Sequence, residues 1–149
     1  MVSTINTPNI IKGIHLNLTR DGLFRRMGYG GRKRTPALEI MKQFGLAMDM
    51  VKSQDLIHGQ AVTLALKISM ISNEEVILTN GRTVAGKGIH KLMPHATHLV
   101  LAIGTIGNGL ETLARKSNIE DNPLMAIMLD SIGNTAVDCL VEETSRRIN

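Results

Sequence analysis

The sequence predicts an α+β fold with a small, mainly antiparallel sheet, flanking helices and a long C-terminal helix. Three observations favour this class: strand and helix patterns follow each other irregularly, an Asn80-Gly81 turn joins two short strands, and an apolar helix of about 25 residues comes last. The 149 residues suffice for one ordinary domain, and 43% apolar with 20% charged residues is a globular composition.

The first third of the chain contains a weak strand pattern and two helix patterns. Residues 1–9 are polar, and we expect a flexible terminus there ahead of a single domain over 10–149. Alternation predicts a strand over 10–18, and a short helix follows over about 19–27, with Gly28 at its C-terminal end. Thr35-Pro36 predicts the start of a second helix, with Thr35 as N-cap, that ends near Lys52.

The middle of the chain carries the strongest strand patterns. Over 60–71 the larger apolar side chains alternate with smaller ones, so we expect Val62, Leu64, Leu66, Ile68 and Met70 on the buried face. Two short strands over 75–79 and 83–84 flank the Asn80-Gly81 turn, and a short helix over 86–93 stops at Pro94. Over 98–103, apolar side chains would lie on both faces of a strand, which predicts a buried strand.

Two helices complete the sequence. One begins near Leu110 after a glycine-rich turn, and the other is opened by Pro123 behind Asp121 or Asn122 as its cap. The first half of this last helix is nearly all apolar, and its end carries charged residues.

The positive charge lies in one short segment. Between Arg20 and Arg34 there are six basic residues and one acidic residue, a net +5, whereas the rest of the chain has a net −1. The segment fits a solvated, mobile edge, a surface for an acidic protein partner, or a nucleic-acid contact; the near absence of aromatic residues disfavours the last. Candidate partner-binding residues are Arg25, Arg26, Tyr29, Arg32, Lys33 and Arg34.

The turn 104–109, between a strand and a helix, is a candidate ligand site. Such a turn presents backbone N–H groups to an anion, yet it has neither the lysine of a P-loop nor dinucleotide-binding spacing. The alternative is a tight turn in which glycine is needed for positive φ and close packing. Site-lining candidates are Thr105, Gly107, Asn108, Gly109 and Glu111.

A second polar group lies within the apolar part of the last helix. Asp130 is followed by Ser131 and Asn134, and a carboxylate in apolar surroundings needs a hydrogen-bonding partner. Asp130 therefore either braces the neighbouring glycine turn or lines a polar site together with Ser131 and Asn134.

Several kinds of chemistry are disfavoured by composition. The single cysteine, Cys139, excludes an internal disulfide and a cysteine-based zinc site, and we expect a small core residue rather than a nucleophile. The cluster His90, His95 and His98 is broken by Pro94 and has no nearby acid, so no metal is predicted. The absence of a signal-like start and of an 18-residue apolar run predicts a cytoplasmic protein with no membrane contact.

Several segments together resemble a known family. They are Arg26-Met27-Gly28-Tyr29, the run 101–107 (Leu-Ala-Ile-Gly-Thr-Ile-Gly) with Leu110-Glu111, and the run 129–137 (Leu-Asp-Ser-Ile-Gly-Asn-Thr-Ala-Val). Over about residues 14–147 the sequence is similar to the activation domain of vitamin B12-dependent methionine synthase, and more so to short stand-alone relatives that serve corrinoid proteins. The resemblance implies a twisted antiparallel sheet.

The resemblance also implies a function. The protein would dock on a corrinoid protein or a methyltransferase subunit when the cobalt has been oxidised, so that reduction and methylation from S-adenosylmethionine restore it. Cobalamin would then belong to the partner. The family's Arg-x-x-x-Gly-Tyr motif does not follow the long helix here, so no S-adenosylmethionine residues are carried over and we do not expect that ligand to bind this chain alone.

These observations favour an accessory or adaptor domain, since no general base, nucleophile or metal cluster is evident that would indicate catalysis. Two alternatives stay open: a small-ligand protein that binds an anionic metabolite, a corrinoid or S-adenosylmethionine at the glycine turn, and a nucleic-acid protein that uses the basic segment. Self-association into a homo-oligomer is also left open.

Overall fold

A computed structural model describes residues 7–29 and 36–148. The expectations for residues 1–6, for Arg32, Lys33 and Arg34 and for Thr35 as a cap lie outside the described residues. The strands are β1 (Asn9–Ile14), β2 (Gly59–Ile71), β3 (Glu75–Leu78), β4 (Thr83–Ala85) and β5 (His98–Thr105). The helices are α1 (Arg20–Phe24), α2 (Leu38–Ser53), α3 (Ile89–Leu92), α4 (Gly109–Ile119) and α5 (Pro123–Ile148).

The five strands form one antiparallel sheet in which β2 is central. Strands β1 to β4 follow one another in the order of the chain, and β5 also pairs with β2. The β2–β3 and β3–β4 pairs are antiparallel. Two backbone bonds flank the β2–β5 pair, His58 N–H to the Ile106 carbonyl and Ile68 N–H to the Thr97 carbonyl, both 2.9 Å. Residue numbers thus rise along β2 while those of the paired residues in β5 fall, so β5 is antiparallel to β2 as well.

Local turn and cap signals are confirmed at several places. Gly81 has φ +79° in the predicted β3–β4 turn, and Gly28 has φ +87° in a widened helical turn, Arg25–Tyr29, that follows α1. The Asn122 side chain accepts a hydrogen bond from the Met125 N–H at 3.2 Å, so it caps α5 as predicted.

The described chain divides into two compact units. One consists of 62–103 with 7–11 and 148, and the other contains the described parts of 12–61 and 104–147. In the first, Val76 is completely buried at the centre of a cluster with Leu66 and Leu78. Half-buried apolar side chains from β2, from α3 and the residue that follows it, and from β5 complete this cluster: Leu64, Ile68, Ile71, Ile89, Met93 and Leu99.

The core of the second unit is built around α5. Leu129, Ile132 and Ala136 are completely buried on one side of that helix. Phe24 packs against Phe44 with ring centroids 4.8 Å apart, which joins α1 to α2. By length and composition α5 is apolar enough to span a membrane, but the core helix of a soluble protein meets the same criterion, and the row of buried residues is typical of such a helix.

Two predictions about burial are wrong. In the first half of β2 the small residues Ala61, Thr63 and Ala65 are buried, whereas Val62, expected inside, is 41% exposed. Alternation shows that a strand has two unlike faces, but which face is covered depends on distant elements. The strand over 98–103, expected to be buried, is exposed along most of its length, because its side chains from Leu101 to Ile103 are left uncovered by the described residues.

Two helix boundaries also differ from expectation. Helix α2 begins at Leu38 after Ala37, which makes no side-chain cap, so Pro36 precedes the helix instead of opening it. The predicted strand over 10–18 ends at Ile14, and residues 15–18 are irregular. Regular structure resumes where the Thr19 side chain caps α1 by accepting a hydrogen bond from the Gly22 N–H at 3.2 Å.

Candidate functional site

The predicted glycine turn joins β5 to α4 directly. Gly107 has φ +83°, a conformation that glycine adopts without strain, and its N–H donates to Thr105 Oγ1 at 3.1 Å. The Asn108 carbonyl accepts hydrogen bonds from the Thr112 N–H and hydroxyl at 3.0 and 2.9 Å. These polar groups are thus engaged within the turn and the first turn of α4.

The segment that precedes β2 packs closely against this turn. A Cβ on Gly109 would lie 3.0 Å from the Leu56 carbonyl oxygen, and one on Gly107 would lie 3.8 Å from the His58 ring. The His58 N–H also bonds to the Ile106 carbonyl. The geometry favours the tight-turn interpretation, and a ligand role for Thr105, Gly107, Asn108 and Gly109 stays a prediction.

Glu111 and the polar group of α5 face solvent. Glu111 forms an ion pair with Arg115, with Oε1 and Nη2 2.9 Å apart, and both side chains are about three-quarters exposed. Asp130 is also exposed, and it accepts a hydrogen bond from Asn134 Nδ2 at 3.3 Å. The Ser131 hydroxyl donates to the Ile127 carbonyl at 2.8 Å. Asp130 therefore pairs along its own helix, and bracing of the glycine turn by this carboxylate is not observed.

The described part of the basic segment is held in place by contacts with the helices. Arg26 forms an ion pair with Asp138 on α5, while Arg25 is exposed. Tyr29 meets Phe24 edge-on, with centroids 6.0 Å apart and an interplanar angle of 88°. The start of the segment thus has a defined position, even though Arg26 itself is already paired.

The structure contains a cleft that the sequence did not predict. It has a volume of about 420 Å³, within the range of small-molecule sites. The residues after β1 form one wall, and the end of α2 with the loop that follows forms the other. The lining residues are Ile14, His15, Leu16, Asn17, Leu18, Met48, Val51, Lys52, Asp55 and Ile57.

The cleft combines an apolar floor with a charged rim. Ile14 and Val51 are buried at its base, whereas Lys52 and Asp55 are exposed. Asp55, at φ +47°, has a carboxylate oxygen 3.9 Å from the His58 ring. Such a cleft suits an amphipathic molecule that carries charge at one end. The local sequence feature that hints at the cleft is the alternation of the polar residues His15 and Asn17 with Leu16 and Leu18.

Cys139 lies close to the irregular segment that forms one wall of the cleft. Its thiol is 3.9 Å from the Asn17 carbonyl oxygen. Burial raises the pKa of the Cys139 thiol, and the Glu142 carboxylate raises it further. A protonated thiol is a poor nucleophile, which is consistent with a packing role. The described residues contain no cluster of side chains suited to a metal ion.

Comparison with known proteins identifies the fold. No family model matches the sequence, and no curated protein sequence matches it either. Among solved structures the chain is similar to the "Crystal Structure of the MetH Reactivation Domain bound to AdoHcy", with a TM-score of 0.68 and 12% identity.

The chains share this fold. The match covers 99% of this chain and 56% of the other, so the sequence spans a little over half the length of that structure. The α+β class with an antiparallel sheet, flanking helices and a long C-terminal helix is confirmed. The resemblance to the methionine synthase activation domain is supported at the level of fold.

Proposed function

We propose that this protein is a cytoplasmic accessory domain of a corrinoid-dependent methyltransferase system and that it docks on a corrinoid protein. The observation that carries the proposal is the fold likeness to the MetH reactivation domain over 99% of this chain. The motifs quoted above support it independently, because they resemble the same family in sequence.

The proposal is tested by binding to a purified corrinoid protein in two cobalt states. An activating partner gains nothing from docking on methylated cobalt, so we expect about tenfold tighter binding to the oxidised cob(II) form than to the methyl form. Isothermal titration calorimetry under anaerobic conditions measures both dissociation constants. Equal affinity for the two states, or no binding to either, would contradict the proposal.

The basic segment supplies the contact surface in this proposal. We expect replacement of Arg32, Lys33 and Arg34 by alanine to weaken docking about tenfold at low salt and less at high salt, because screening already removes part of the attraction. A control variant with Lys42, Lys91 and Arg147 replaced by alanine removes the same charge from exposed positions elsewhere. Equal losses in the two variants would indicate a net-charge effect and exclude a local interface.

The unpredicted cleft favours small-molecule binding as a second candidate function. The MetH reactivation domain structure was solved with AdoHcy, a molecule that carries a zwitterionic end. In the cleft, Lys52 and Asp55 offer opposite charges beside an apolar floor, which suits such a ligand. This candidate places the ligand beside α2 and not on the glycine turn.

Filling the cleft tests this candidate. We expect AdoHcy to bind the unmodified protein and Leu16→Trp to raise its dissociation constant at least tenfold, because the indole occupies the cleft. Leu46→Trp, at an exposed position on α2 outside the cleft, serves as the matched control. Calorimetry decides: no heat with the unmodified protein, or equal losses in both variants, would exclude the cleft as the site.

A further inference from the structure

Three strands of the sheet have an outer edge without a partner in the described part of the chain, and two of these are protected. Strand β4 is three residues long and lies between Arg82 and Lys87. Strand β1 carries Lys12, and Gly13 beside it has φ +61°, which interrupts the extended backbone. Short length, charged residues and local distortion are the usual means by which soluble proteins prevent sheet edges from joining.

Strand β5 has none of these protections. Its eight residues include no proline, lysine, arginine or acid. Leu101 is 45% exposed and Ile103 80% exposed, and Ala102 between them is exposed as well. Since successive side chains point to opposite faces, both faces are open at this edge. A long, uncharged, apolar strand with unpaired backbone groups is the feature that promotes strand addition.

We propose that the occupant of this edge is β5 of a second copy of the chain, paired antiparallel about a two-fold axis. In a two-fold pairing centred on Ala102, Ala102 faces Ala102 of the other copy and Leu101 faces Ile103, so the cross-strand pairs are apolar. The strand contains no lysine, arginine, aspartate or glutamate that would meet a like charge across the two-fold axis. The described part of each chain has one such edge, so the assembly closes as a dimer. This inference goes beyond the proposed function and does not depend on it.

Sedimentation equilibrium with the unmodified protein and two lysine variants tests the dimer. At about 100 µM chain, a dimer with a dissociation constant of about 1 µM is the main species. Ile103→Lys places a charge on the edge and is expected to weaken dimerisation at least tenfold. Ile119→Lys on α4 alters an equally exposed residue, at 79%, and should leave it unchanged. A monomer, an assembly larger than two, or equal effects of both substitutions would overturn the proposal.

A second measurement covers the case in which Ile103→Lys does not fold. Amide exchange over 98–103 in the unmodified protein is expected to slow as the chain concentration rises, because the outer N–H groups become hydrogen-bonded. Exchange over 109–119, in α4, is the internal reference and should stay constant. Exchange in β5 that is independent of concentration would overturn the proposal without any variant.

Discussion

Alanine at position 59 is expected to destabilise the protein by about 3 kcal/mol or more. Gly59 is buried at the start of β2, and a Cβ there would lie 2.6 Å from the Ile14 carbonyl oxygen and 3.2 Å from the Ile14 Cβ. The carbonyl belongs to the backbone of β1, so it cannot move aside as a flexible side chain would. Either β1 shifts away from β2 or the contact stays strained.

The same substitution at Gly45 is expected to stabilise the protein rather than destabilise it. Gly45 is exposed in the middle of α2, and its Cβ would meet nothing within 4 Å. Alanine loses less backbone entropy than glycine in a helix, so Gly45→Ala should stabilise by about 0.5–1 kcal/mol. Urea unfolding monitored by circular dichroism compares the two variants. A similar free energy of unfolding for both would mean that β1 does not approach β2 as closely as described.

The second large effect is expected on the long helix. Ile132 is completely buried in α5, so Ile132→Ala should lower the free energy of unfolding by about 2–5 kcal/mol through lost burial and the cavity left behind. Ile127, on the same helix, is 57% exposed, and Ile127→Ala should cost less than about 1 kcal/mol. Chemical denaturation of the pair measures the difference.

The same pair of variants examines the role of α5. In a helix that packs against the core of a soluble protein, alanine substitutions lower the free energy of unfolding on the buried side and have little effect on the exposed side. A helix surrounded by lipid is apolar all round and lacks this difference. Equal sensitivity at Ile127 and Ile132 would contradict the placement of α5 as a core helix.

Features encoded by neighbouring residues could be predicted from the sequence. The Asn80-Gly81 turn, the left-handed Gly28 after α1 and the Asn122 cap before Pro123 each depend on two or three adjacent residues. Such signals act through local backbone preferences, and no distant element is needed to produce them. The fold class followed from their order along the chain.

Features that depend on distant residues could not be predicted. Periodicity in β2 did not reveal that Thr63 is buried and Val62 exposed, because that choice is made by what covers each face. The Arg26–Asp138 ion pair joins residues 112 positions apart. The cleft forms because Ile14 and Val51, far apart in the sequence, line the same space, and Asp130 is exposed because its side of α5 is left uncovered.

The scarcity of aromatic residues has a practical consequence. The sequence has no tryptophan, one tyrosine and two phenylalanines, and Tyr29, Phe24 and Phe44 are all in one cluster. Tyrosine fluorescence from the protein therefore comes from one residue, and Tyr29 lies within the basic segment, three positions before Arg32. Tyr29 can therefore serve as a built-in reporter: if the proposed docking at the basic segment is right, we expect it to change the tyrosine fluorescence without any label.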